Sequence, residues 1–201
     1  SLGNINAERQ GNGYRDDAST GNGVLTVNAN HIAIEGTLTQ QGFAATTLNS
    51  QGDVMMNGVV SGNDYLGAFI SGGNISINAA RIYPSTLTNF AVEIHNNAAG
   101  TISIGHLDGQ SGGGGAVLSA AGRLAFAAPN ITQGGTIKAP FGTIELRSES
   151  IVRVSDAETR VSRPADGTVS LTDGSVTSVS AEGQVIPFGK TELSGQDWVY
   201  L

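Results

Sequence analysis

The chain keeps returning to one short unit, a glycine followed by apolar residues alternating with small polar ones. In Gly23–Leu38, Leu25, Val27 and Ala29 alternate with Thr26 and Asn28, Asn30-His31 breaks the run, and Ile32, Ile34 and Leu38 restart it. Such a unit is two short strands meeting at a bend, each with one buried face. Gly73–Ile82 and Gly122–Ile131 match it position for position, Gly142–Ile151 is a fourth copy, and Gly167–Leu171, running on to Val176, is a looser fifth. Gly135-Thr136-Ile137 echoes Gly36-Thr37-Leu38 in register. A strand pair of this kind cannot bury its face alone, so the copies must stack on one another.

The expected fold is therefore all-β, a parallel β-helix of about seven or eight coils, its coils spaced as neighbouring strands are and its longer intervals projecting as loops. Residues 1–22 are read as an irregular lead-in or partial coil, and 23–201 as the repeats. Ile32, Ile77, Leu124, Ile144 and Leu146 are expected inside the stack, as are Leu48, Val54, Met56 and Val59 in the weaker stretch from Gly42 to Ser61. Phe90, Val92 and Ile94, then Ile102 and Ile104, continue the alternation. Tyr65, Leu66, Phe69 and Ile70 are expected to pack over a coil edge. Pro84 lacks a ladder N–H and should end its strand. The last coil is expected through Val169, Leu171, Val176 and Val179 to Val185–Gly189.

Composition fits this mechanics. The chain has 29 glycines, only 13% charged residues and a hydrophobic share of 39%, as tight bends and many small interiors demand. A net charge of −7 argues against nucleic acid or an anionic membrane, which attract basic patches. There is no cysteine, so stability has to come from stacking rather than disulfides. No apolar run reaches the roughly 20 residues that span a bilayer, and Ser1–Asn6 lacks the regions of a signal peptide. The chain opens inside repeat-like sequence and stops on Trp198–Leu201 with no capping element after it, and is read as a piece of something longer or a mature fragment.

Few residues invite chemistry. Gly112–Gly115 lacks the Lys-Ser/Thr and helix of a phosphate loop and is read as a surface loop. Asp53, Asp64, Asp108, Asp156 with Glu158, and Asp166 with Asp173 are scattered, so no stacked carboxylate pair of a polysaccharide lyase or hydrolase is expected. Asp173 falls in the slot of Ala29, Ala79, Ala128 and Ser148 but precedes Gly174, a turn pair. His31, His95 and His106 have no second ligand at metal spacing, His31 being placed at a solvent-facing bend. Glu145, Arg147, Glu149 and Arg153 should form an outward surface of alternating sign. Asn28 and Asn78 share a coil position and are read as rungs of a structural amide ladder. No Gly-Gly-x-Gly-x-Asp calcium repeat occurs, and Thr37-x-Thr39 and Thr86-x-Thr88 fall out of register for an ice-binding face. No catalytic, cofactor-binding or metal residue is assigned.

The copies Leu25–Ile32 and Ile75–Pro84, with Gly174–Gly189, resemble the repeats of filamentous-haemagglutinin-like exoproteins, most specifically in Ile82-Tyr83-Pro84 and Ser175–Ala181. The resemblance covers most of 23–201 and implies a right-handed parallel β-helix, an internal or carboxy-terminal portion of a two-partner-secretion adhesin. It further implies an outer-membrane secretion partner, delivery to the bacterial surface or outside, and a non-enzymatic role in adhesion, aggregation or biofilm. The family has no shared catalytic motif; a polysaccharide-active enzyme is the alternative class. The apolar Val185–Phe188 and Trp198–Leu201, against a Gly/Asn-rich amino end, suggest head-to-tail docking into filaments, or a cap folded over the chain's own end.

Overall fold

A computed structural model describes residues 18–113, 116–153, 160–183, 185, 191–194 and 197–200. They form strands and, among the described residues, no helix. A first circuit comprises β1 (Ser19–Ala29), β2 (Ile32–Glu35) and β3 (Thr37–Thr39). A second comprises β4 (Gln41–Ser50), β5 (Asp53–Asn57), β6 (Val59–Ser61) and β7 (Asp64–Ser71), and a third β8 (Asn74–Asn78), β9 (Arg81–Pro84) and β10 (Thr88–Ile94). The fourth has only β11 (Thr101–Gly105) and β12 (Arg123–Ala128), separated by a long connection; β13 (Asn130–Gln133), β14 (Thr136–Lys138) and β15 (Thr143–Arg153) make the fifth. After β16 (Arg160–Pro164), β17 (Val169–Leu171) and β18 (Val176–Ser178) begin a sixth, and β19 (Thr191–Ser194) pairs only with β20 (Asp197–Tyr200).

Strands of the same rank in successive circuits lie side by side. Sheet I runs β1-β4-β8-β11-β13-β17, sheet II β2-β5-β9-β14-β18, and sheet III β3-β7-β10-β12-β15-β16, with β6 added on β7. Pairing is parallel except for β6 with β7, β15 with β16 and β19 with β20. Registered pairing lines side chains up in columns. Val27, Leu48, Ile77 and Ile104 make one in sheet I, and Leu38, Phe69, Val92, Phe126 and Leu146 another in sheet III. All three sheets feed one apolar cluster. Six passes of sheet I, against an expected seven or eight coils, account for the described residues, because the long connection and the β15–β16 arm consume chain without adding a layer.

Of the expected interior residues, Ile32, Leu48, Val54, Met56, Ile77 and Leu124 are buried, and Ile144 and Leu146 pack partly buried against the cluster. Val59 is corrected: it is only half-buried, on β6, which pairs antiparallel with β7 outside the stack, and it lines a cleft. Pro84 is the last residue of β9. Three further expectations are corrected. Phe69 and Ile70 are core residues of β7 rather than an edge cover, while Tyr65 and Leu66 stay exposed. Val169, Leu171, Val176 and Val179 are exposed, since β17 and β18 are the outermost strands of their sheets among the described residues. The copies led by Gly23, Gly73 and Gly167 begin on sheet I, but those led by Gly122 and Gly142 begin on sheet III. Any two consecutive sides give the same strand–bend–strand pattern, so the pattern does not say which side it starts on. Strand β1 begins at Ser19, within the stretch read as a lead-in or partial coil; residues 1–17, 186–190 and 201 lie outside the described residues.

The repeated glycine has a cause the alternation does not reveal. At Gly142 and Gly167 φ is not positive; instead a Cβ would collide with the carbonyl oxygens of Gly122 and Pro129 on the preceding pass. Positive φ instead recurs at the corner between sheets II and III. Gly36 (φ 64°), Leu87 (59°), Ala121 (54°) and Phe141 (56°) each make that turn with one left-handed residue. The corners stack too: Leu87 N donates to Ala120 O, Ala121 N to Pro140 O and Phe141 N to Val179 O, each at 2.9 Å. The backbone ladder thus continues around the bend.

Truncating Leu124 to Ala is expected to cost about 2–5 kcal/mol, and Ile144→Ala less because its site is only partly closed; equal melting of parent and Leu124→Ala would refute the register. Two adjacent positions should respond with opposite signs. Gly142→Ala, which drives a methyl into the Gly122 carbonyl, is expected to cost at least about 1–3 kcal/mol. Phe141→Gly, at an exposed left-handed residue, should raise stability by up to about 1 kcal/mol. Denaturant unfolding of the two variants beside the parent checks both signs.

Candidate functional site

Sheet II carries the long connection of the fourth circuit, and the β6–β7 hairpin stands at its corner with sheet III. The fourth circuit contributes no strand to sheet II, and β14 pairs directly with β9 through Ile137 and Ile82. Where that strand is missing, the chain after Gly105 runs outside the stack and is pinned down by side chains. His106 Nδ1 lies 2.7 Å from Ala79 O. Gln110 Nε2 donates to the carbonyls of Ser50 (3.1 Å) and Gln51 (2.7 Å), two circuits back. Further along, Ser119 Oγ donates to Pro84 O, and Ala120 N to Thr86 Oγ1 at 3.3 Å. Gly112 and Gly113 pass so close to the Thr136 and Arg81 side chains that a Cβ at Gly112 would strike Thr136 Oγ1. The glycine run, expected as a surface loop, is exposed at Gly112 and half-buried at Gly113, with both close to neighbouring side chains; Gly114 and Gly115 lie outside the described residues.

Beneath this drape, alternate residues of β5, β9 and β14 point outward. Arg81 grips Asp53 with two bonds, Nε–Oδ1 2.9 Å and Nη2–Oδ2 2.7 Å, and that carboxylate raises the Arg81 pKa despite burial. Tyr83 follows on the same strand face. Its phenol is pushed above the ordinary value of 10.0, first by burial and then by the Asp53 charge, with Arg81 opposing. Lys138, itself buried, reaches Glu182 at 2.5 Å.

At the other end of this face an open cleft of about 1120 Å³ lies between the β6–β7 hairpin and the segments around Leu87 and Leu118. The hairpin can stand there because Gly58 has no Cβ, whose place lies 2.6 Å from the Tyr65 carbonyl carbon; its tip turns on Gly62 (φ 65°). Tyr65 and Tyr83 line the cleft, with Met55, Asn57 and Glu35 from the registered strands β5 and β2. Asn57 Nδ2 donates to Glu35 Oε1 across 3.5 Å, and Asn57 Oδ1 is buried without a hydrogen-bond partner. Leu87, a left-handed non-glycine residue, stands half exposed on the rim.

The acids singled out in the sequence do not come together. Asp53 is consumed by Arg81; Asp64, Asp108, Asp166 and Asp173 are exposed and apart, Asp173 in the expected turn with Gly174; Asp156 and Glu158 lie outside the described residues. Among the described residues no group of three metal-ligating side chains forms. His31 is exposed at its bend. His95 is buried, with Nε2 2.8 Å from Glu93 Oε2. The amide ladder exists and has a rung the sequence reading missed. Asn49 Nδ2 donates to Asn28 Oδ1, and Asn78 Nδ2 to Asn49 Oδ1, both at 2.9 Å; the row stops where Gly105 follows Asn78. Three of the alternating charges pair along β15, Arg123 holding Glu145 at 2.7 Å and Arg147 lying 3.7 Å from both Glu145 and Glu149; the Arg153 side chain lies outside the described ones. Arg123 keeps the Glu145 carboxyl below its usual range.

No family model, no curated protein and no solved structure matches the chain.

The Tyr83 environment is testable by titration. A phenol whose folded pKa is raised binds its proton more tightly when folded, so its contribution is present below the ordinary phenol range and lost as pH rises through the folded pKa. Tyr83→Phe should remove tyrosinate absorbance that otherwise develops above pH 10.0. Loss of a component that titrates at the ordinary 10.0 rather than above it would place Tyr83 in solvent.

Proposed function

We propose that the chain is a right-handed parallel β-helix serving as a rigid, non-enzymatic scaffold, part of a secreted or cell-surface adhesin like the filamentous-haemagglutinin exoproteins it resembles. The observation that carries this reading is the in-register return of the chain to the same three sheets, circuit after circuit, around one apolar cluster. Such a stack supplies length and stiffness from backbone pairing alone, and the Asn28–Asn49–Asn78 row adds a second ladder outside it. The hairpin and the drape interrupt the regularity, as recognition loops on a scaffold do. A glycan-cleaving enzyme would need at least two carboxylates about one bond, whereas Glu35 is the single carboxylate among the residues lining the cleft. Export through an outer-membrane partner and head-to-tail association of ends belong to the same proposal.

Beads coated with the purified chain are expected to adhere to cultured cells saturably and to be displaced by soluble chain. Adhesion no greater than that of albumin-coated beads would overturn the adhesive role, and release of reducing ends from a polysaccharide panel would overturn the non-enzymatic one. Sedimentation tests the filament: a monomer at every concentration excludes it.

A further inference from the structure

We infer that the outward face of sheet I is an ice-binding surface, its ligand an ordered lattice of water. Registered pairing sets six hydroxyls side by side there, one from each pass: Thr26, Thr47, Ser76, Ser103, Thr132 and Ser170. All six residues are exposed or half-buried, and among the described residues none of the six hydroxyls makes a hydrogen bond. A second hydrogen-bonding side chain stands two residues away in each of the first five passes. Asn28, Asn49 and Asn78 follow the hydroxyl, and Thr101 and Asn130 precede it. Strand geometry makes this a net with steps of about 4.8 Å across the strands and roughly 6.6 Å along them. The threonine pairs visible in the sequence, Thr37-x-Thr39 and Thr86-x-Thr88, belong to sheet III and its corner. The array is created by register, not by a motif.

The ligand follows from what the face lacks. No Asp, Glu, Lys or Arg occurs in the six described strands of sheet I, whereas sheet II carries Glu35, Asp53, Arg81 and Lys138, and sheet III Asp64, Glu93 and Arg123. A charged ligand therefore meets no partner charge here. A sugar ring meets no aromatic plane in these columns, and a protein meets neither an aromatic nor an arginine anchor. A face of about 400–500 Å² by strand spacing is roughly half of what each partner gives to a standard interface, which argues against a second copy of the chain. Ice asks for something else. Its surface is an uncharged, periodic net of donors and acceptors, and a hydroxyl, like water, both donates and accepts. The interstrand step lies close to the repeat of the hexagonal ice lattice, so water held by one hydroxyl is in phase with water held by the next. Thr26, Thr47 and Thr132 contribute stiff β-branched side chains, and the Asn28–Asn49–Asn78 bonds fix the neighbouring column. A net preorganised in this way lets many weak contacts add with little ordering cost at each.

The test is thermal hysteresis of the purified chain, the gap between melting and freezing of a seed crystal, read together with the crystal's shape. The parent is expected to open a gap and facet the crystal. Thr132→Lys, at an exposed position, should abolish both, and Thr26→Lys, exposed at the other end of the column, likewise. Ala33→Lys, the same change at a half-buried outward position of sheet II, should leave both. Replacing Ser76, Ser103 and Ser170 together by Thr, which completes a threonine column on the outward face, should widen the gap. Sedimentation covers the second copy, and retention on crystalline cellulose covers a glycan. No gap from the parent, a gap that both lysine variants of sheet I keep or that Ala33→Lys loses, or a dimer or cellulose binding that Thr132→Lys abolishes would each overturn the site. The inference needs only the register of sheet I, so its failure leaves the adhesive reading to the bead assay.

Discussion

Everything in this molecule depends on parallel backbone pairing held in register from one circuit to the next. A strand of four or five residues has too few contacts to persist alone, and its unpaired N–H and C=O groups need partners. The neighbouring pass supplies both. Once the ladder sets the register, each side chain meets its counterparts directly above and below, so every interior position becomes part of a column. Phe69, Val92 and Phe126 can be large only because the column as a whole has room. Gly67 shows the reverse adjustment: its missing side chain leaves space for the Phe90 ring of the next strand.

That coupling explains what could be read from residues and what could not. Alternation is a local property, so the strands, their apolar faces and the outward charges on β15 were legible. The amide row was half legible, through Asn28 and Asn78. Asn49 was hidden because Thr46 and Thr47 blur the alternation of β4, although Thr46 is a buried residue whose hydroxyl donates to the Gln40 side chain at 2.8 Å. The assignment of copies to sides failed for Gly122 and Gly142, since a period of two carries no information about which sheet it serves. Gln133 was missed for a related reason. It stands in the column of Ile77 and Ile104, fully buried, and is tolerated there because it bonds Gly135 N and O and Val176 O.

The cleft left no trace in the sequence at all. Glu35, Asn57, Tyr65, Tyr83 and Leu87 come from three circuits and share no spacing, being gathered by the stack rather than by a motif. Its walls are the two places where the repeat is broken, the hairpin inserted after β5 and the drape that replaces a strand. A regular scaffold thus confines its individuality to its interruptions, and these two meet at the corner between sheets II and III, apart from the β15–β16 arm.

The missing strand also has a mechanical meaning. Sheets I and III gain a layer in the fourth circuit while sheet II gains none. Three sides that share one axis have unequal lengths after that point, by one interstrand step of about 4.8 Å. On that side the outward faces of β9 and β14 are neighbours, so a single overlying segment can pass Gly112 against Thr136 and Gly113 against Arg81 at once.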